Sequence, residues 1–148
     1  MLGSVVVLLV AISAAALLGR QSKGLPLPDR PSIAVLPFVN IGDDPQQEYF
    51  SDGLAEDITT RLAKFADLFV VARDSAFSFK NKHAAPAQIG RELGVRYLLE
   101  GSVCRDAKRF RISARLIDAA GGVQRWAESF DRDLSESVWK KVCGVREV

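Results

Sequence analysis

His83 is the only histidine among the 148 residues, so any Ser-His-Asp relay in this chain has to use it. It sits in Lys80-Asn81-Lys82-His83 with no nucleophile elbow nearby, and it reads as a solvated surface histidine. Five carboxylates, Asp43, Asp44, Asp52, Glu56 and Asp57, crowd one stretch. Their spacing fits no calcium loop; Asp44 reads as a helix cap, and Asp52, Glu56 and Asp57 as a solvated helix face. Gly121-Gly122 lacks P-loop spacing and reads as a hairpin turn. Cys104 and Cys143 are too few for a disulfide scaffold and read as two unpaired thiols. No catalytic residue, metal or cofactor is expected. What remains is Asp52 and Gly53 with Arg73, Asp74 and Ser75. They fall near strand and helix ends, where α/β sheets bind ligands and partners. The competing and preferred reading is that they tie loops together through arginine–carboxylate pairing.

The elements that position these residues follow from pattern. Ser32-Ile33-Ala34-Val35-Leu36-Pro37-Phe38 is a nearly continuous apolar run, as in a strand buried on both faces, ending at Pro37. Asp44, Pro45 and Gln47 spell a helix start, with Gln47 reaching back to the cap. Phe50, Leu54, Ile58, Leu62 and Phe65 follow as one apolar stripe that packs on the sheet. Gly53 inside that helix costs about 1 kcal/mol relative to alanine, which predicts a close approach there. Leu68–Ala72 reads as a second buried strand and residues 73–85 as a polar loop. Pro86–Leu93 is a short helix stopped by Gly94. Three longer strands complete the domain, Val95–Arg105, Arg109–Asp118 and Gln124–Asp131. The order β-α-β-α-β-β-β predicts an α/β two-layer sandwich with a mixed sheet. Trp126 shares its parity with Phe130, and is expected beneath the stripe of Leu54, Ile58 and Leu62.

Ahead of this domain, residues 2–19 carry no charge. Eighteen residues give about 27 Å of helix, the thickness of a hydrocarbon core. Apolar side chains lie on all sides, so residues 1–20 are read as one transmembrane helix, and no basic n-region marks a signal peptide. Residues 21–31 form a Pro-rich linker. Arg20, Lys23 and Arg30 all follow the helix, which by charge alone would place the domain in the cytoplasm. The net charge is +2, from 20 basic and 18 acidic residues, which supplies no footprint for nucleic acid. The expected partners are a lipid bilayer and a protein or flanking domain, with a homo-oligomer left open.

The stretches PSIAVLPF (31–38), DPQQEYFSDGLAEDI (44–58), LFVVARDSAFSFK (68–80), RELGVRYLLEGSVCR (91–105) and RISARLIDAAGGVQRWAESFDRDL (111–134) resemble the TolB amino-terminal-like, or FlgO-like, domain. The resemblance covers residues 31–134, with the domain itself read as 32–134, and implies a bacterial domain with no settled catalytic role. In that family it often sits between a cyclase or winged-helix domain and tetratricopeptide repeats. It also implies a single crossing of the inner membrane with the domain on the periplasmic side. Residues 135–148 depart from the family's continuation, so a fragment of a larger receptor-like protein is expected. The function read from this is a membrane-tethered, non-catalytic sensory or scaffolding domain; the alternative is the non-catalytic middle of a class III adenylate or guanylate cyclase, inactive alone.

Overall fold

The computed structural model describes residues 25–42, 44–105 and 109–133. The transmembrane helix expected over residues 1–20, the start of the linker, Asp43, residues 106–108, Leu134 and the tail 135–148 with Cys143 lie outside the described residues. Among the described residues, no helix is long and apolar enough to cross a membrane.

The strands are β1 (Ser32–Val35), β2 (Val39–Ile41), β3 (Phe69–Val70), β4 (Tyr97–Arg105), β5 (Arg109–Asp118) and β6 (Val123–Asp133). The helices are α1 (Pro45–Leu62), α2 (Arg73–Phe77) and α3 (Pro86–Leu93). The sheet runs β3-β1-β4-β5-β6, with β2 also paired to β4. β1 is parallel to β3 and β4, and β2 is parallel to β4. The meander β4-β5-β6 is antiparallel, so the sheet is mixed, as expected.

β1 and β2 are one edge of β4 interrupted by a single extra residue. Val35 pairs Leu99 and Val39 pairs Ser102, four steps against three. Pro37, which has no N–H to lend a ladder, sits in that break. The break drives Phe38 into the core, 2% exposed. Gly101 is what makes room. A Cβ there would lie 2.4 Å from the Ser113 carbonyl oxygen and 2.7 Å from the Phe38 ring.

Alternate residues of β1 serve two cores. Val35 joins Phe38, Ala55, Val103 and Phe110 under α1. Ala34 and Leu36 join Val71, Ile89, Val95 and Leu98 under α3. Successive strand residues face opposite ways, so helices cover both faces of the sheet around β1. The two-layer expectation is corrected on this point: α1 and α3 do not share a face. The reason was present in the continuous apolar run of β1, which needs cover on both sides. Two further elements depart from the reading. β2 was not expected, and the polar loop 73–85 contains α2, whose Ala76 is buried.

Within α1, Asp44 caps the helix by accepting from the Gln46 N–H at 2.9 Å, and Pro45 opens it. Gln47 does not reach back to the cap. It is buried and its Nε2 donates to the Val103 carbonyl at 2.9 Å, tying α1 to β4. The small residues Ser51 and Ala55 are fully buried at the closest approach to the sheet, flanked by half-buried Phe50, Leu54, Ile58 and Leu62. Phe65 lies beyond the helix and is exposed. Gly53 meets nothing within 4 Å, contrary to the close approach expected of it. The close approach belongs to Gly90 in α3, where a Cβ would come within 2.5 Å of the Ala119 Cβ.

Trp126 is the largest correction. Its parity is as read: it pairs Leu116, on the face that α1 covers farther along the sheet. Yet it is 42% exposed. A helix is about 10 Å across and strands lie about 4.8 Å apart, so one helix roofs about two strands. α1 packs on β1, β2 and β4, and β6 lies two strands beyond β4.

Candidate partner surface

Of the five residues singled out from the sequence, Asp52 and Gly53 lie in α1, and Arg73, Asp74 and Ser75 open the short helix α2. Glu48, Asp52 and Glu56 recur every four residues and form a row of carboxylates along the helix. Lys80 meets the first two. Its Nζ donates to both Asp52 oxygens at 2.7 and 2.6 Å and lies 2.6 Å from Glu48 Oε1. Burial works against the Lys80 ammonium, but the hydrogen bonds to Asp52 and then Glu48 outweigh it and raise its pKa above the ordinary lysine value. Arg73 meets the third carboxylate, its Nε 3.2 Å from Glu56 Oε2. That contact misses hydrogen-bond geometry, and the buried Nε–H has no hydrogen-bond acceptor. The guanidinium also stacks 4.0 Å over the Phe77 ring and pairs with Asp74 at 3.3 Å.

Asp52 and Arg73 therefore belong to parallel rungs between α1 and the α2 region and are not hydrogen-bonded to each other. Asp74 closes on Arg73. Ser75 lends its carbonyl to the Ser78 hydroxyl at 2.7 Å. Gly53 stands open to solvent. The arrangement is a clamp of ion pairs. His83 is exposed, and among the described residues no three His, Cys, Asp or Glu side chains converge as metal ligands.

The outer hairpin β5–β6 carries what sequence reasoning missed. One of its faces is polar and internally matched. Arg115 donates twice to Glu100 Oε2, at 3.0 and 2.8 Å. The hydroxyls of Ser113 and Ser129 meet at 3.0 Å. Arg111 donates to both Asp131 oxygens, at 2.8 and 3.2 Å, and so holds that carboxyl below its ordinary pKa. The other face continues the α1 core outward through half-buried Ile112 and Ala114. It ends on β6, with Trp126 exposed and Phe130 half-buried. Val123, at the start of the strand, is 49% exposed. Beyond β6, no strand pairs its outer edge among the described residues. The signal available in the sequence was the parity of Trp126 and Phe130 on the last strand of a meander, which by connectivity tends to an edge.

Comparison with known proteins locates this architecture. The family model of the HilA/YgeH-like transcriptional regulator, second domain, matches residues 29–143. The protein named "Putative adenylate cyclase 3" of Rhizobium meliloti (strain 1021) is 54% identical over 110 residues; these are 74% of this chain and 19% of that protein's length. Lipoprotein GNA1162 from Neisseria meningitidis shares the fold, with a TM-score of 0.58 at 19% identity over 72% of this chain and 82% of that one. TolB from Acinetobacter baumannii does so with a TM-score of 0.50 at 18% identity, over 85% of this chain and 31% of that one. The TolB-like resemblance holds at the level of fold.

Proposed function

The chain belongs to the family of the HilA/YgeH-like transcriptional regulator second domain, and we propose that it is a non-catalytic interaction module of a larger signalling protein. The relatives' names attach this domain to two unrelated outputs, transcriptional regulation and cyclic nucleotide synthesis. Those outputs share no chemistry, and one fold can serve both by offering a contact surface. The observation that carries the reading is β6, an outer strand of eleven residues with Trp126 42% exposed on it. Tryptophan anchors protein contacts because it combines a large apolar area with few rotatable bonds. The test replaces Trp126 with a photo-crosslinking amino acid in cells producing the whole chain. A protein adduct at position 126, and none at exposed Lys64, is expected. No adduct at 126 contradicts the reading.

The same proposal includes a membrane tether, supported by the uncharged run from Leu2 to Gly19, with the domain on the periplasmic side of a bacterial inner membrane. The candidates Asp52, Gly53, Arg73, Asp74 and Ser75 enter as the support of α1 against α2, with Gly53 on its open side. A second reading is favoured by the 54% identity to the cyclase-named relative, of which this chain spans 19%: the domain is the non-catalytic portion of a class III adenylate or guanylate cyclase. Under either reading the purified chain with magnesium or manganese makes no cyclic nucleotide above a vector control. Measurable product contradicts both.

A further inference from the structure

We propose that β6 is an interface between two copies of this chain, paired antiparallel about a two-fold axis through Phe130. This rests on the reading of the domain as an interaction module and names the partner. Along its inner edge β6 is laddered to β5 from Val123 to Asp133, with one irregularity at Leu116/Ile117. Its outer backbone is unmatched among the described residues. Edge strands are usually blunted by charge, lysine above all, by proline, by bulges or by shortness; β6 has charged residues and one irregularity near its start, and its charges are of both signs. Residues 123–133 contain no lysine and no proline, and they are eleven residues long.

The side chains select the partner. On the face that carries Trp126, the sequence runs Glu128, Phe130, Arg132 at alternate positions. Glu128 makes no hydrogen bond or ion pair among the described residues, and the Arg132 guanidinium reaches only the Asp131 carbonyl, at 3.2 Å. Two opposite charges thus bracket an aromatic ring at equal distances along the strand. Such a triplet is its own complement when the chain is turned end for end. With Phe130 opposite Phe130, each Glu128 faces an Arg132 of the other copy, twice over. On the opposite face, each Ser129 hydroxyl comes opposite an Asp131 carboxylate.

Neighbouring registers lose this match. An axis through Ser129 sets Glu128 against Phe130 and Arg132 against Trp126. An axis through Glu128 sets two carboxylates side by side, which is destabilising. An axis through Ala127 pairs Glu128 with Trp126 and leaves Arg132 beyond the strand of the other copy. Seven residues from each chain, 127–133, pair in the chosen register, and Trp126 at its margin comes diagonal to Arg132 of the other copy, within reach of that side chain. That is small beside standard interfaces, whose lower bound is about 1,200 Å², so the dimer is expected to be weak and concentration-dependent.

The experiment is analytical ultracentrifugation of the whole chain in detergent micelles, with far-UV circular dichroism to confirm folding. Wild type is expected to dimerise. Glu128→Arg and Arg132→Glu each place like charges face to face and should weaken association at least tenfold. An equimolar mixture of the two variants should recover wild-type affinity, because two cationic positions on one copy then face two anionic positions on the other. A monomeric wild type at about 200 µM, single variants that associate like wild type, or folded variants that do not recover on mixing overturn the proposal. If a charge variant fails to fold, disulfide trapping decides. In a Cys104→Ser/Cys143→Ser background exposed to dissolved oxygen as the oxidant, Phe130→Cys should form a covalent dimer, since opposed Cα atoms lie about 4.5–5.5 Å apart. Gln124→Cys should not. The absence of a Phe130→Cys dimer, or equal trapping at both sites, overturns it. The photo-crosslink at position 126 separates the two claims. An adduct with another protein alone sinks the second copy and keeps the interaction module; no adduct sinks both.

Discussion

At the scale of single residues, small side chains decide where large ones go. Gly101 lies between the Phe38 ring and the Ser113 carbonyl, and the carbonyl belongs to a ladder that cannot recede. Overpacking of this kind costs about 1–3 kcal/mol. Gly101→Ala should fall at the upper end, read as a lowered urea midpoint with an unchanged slope. A midpoint equal to wild type contradicts the packing of Phe38. Lys80 makes a second prediction. Its folded pKa is raised by Asp52 and Glu48 against the opposing effect of burial. A raised cation contributes stability fully below its unfolded value of 10.5, and loses that contribution as pH rises through the folded value. Wild type should therefore be more stable than Lys80→Met at neutral pH, with the gap closing above about pH 10.5. A gap that persists to higher pH, or never existed, shows that the clamp does not depend on the charge. Of these residues the sequence showed the Asp44 cap, because capping is local. It did not show the role of Gln47, whose acceptor Val103 lies 56 residues away.

At the scale of elements, α1 is held by caps, by small buried residues and by its row of carboxylates, and Gly53 weakens it without packing in return. With nothing within 4 Å of its Cβ position, Gly53→Ala should stabilise the fold by up to about 1 kcal/mol. A lowered melting temperature would show that the site is not open. The stripe of α1, the helix α3 with its left-handed Gly94 and the alternation of β5 were legible, since each is a local period of side chains. α2 and β2 were not. α2 has five residues and no side-chain cap. β2 has three and exists only because Ser102, Val103 and Cys104 lie beside it. Neither is long enough to express a period.

At the scale of the molecule, strand order is what a one-dimensional reading lacks. Parity correctly placed Trp126 on the α1 face of the sheet, yet parity does not say how far a helix reaches across it. Because β4, and not β6, lies beside β1, the aromatic residue expected in the core stands at the rim. The comparisons match this domain to a family of transcriptional regulators, to a protein of which it spans 19%, and, by fold alone, to a lipoprotein. The central question is accordingly whether Trp126 supports the fold or a contact. The direct measurement is Trp126→Ala in the whole chain, with urea unfolding and ultracentrifugation on the same sample. The expected result is a stability loss of no more than about 1 kcal/mol, as for a partly exposed side chain, together with a clear weakening of association. A loss of about 3–5 kcal/mol, the cost of truncating a buried tryptophan, or association left untouched, would contradict it.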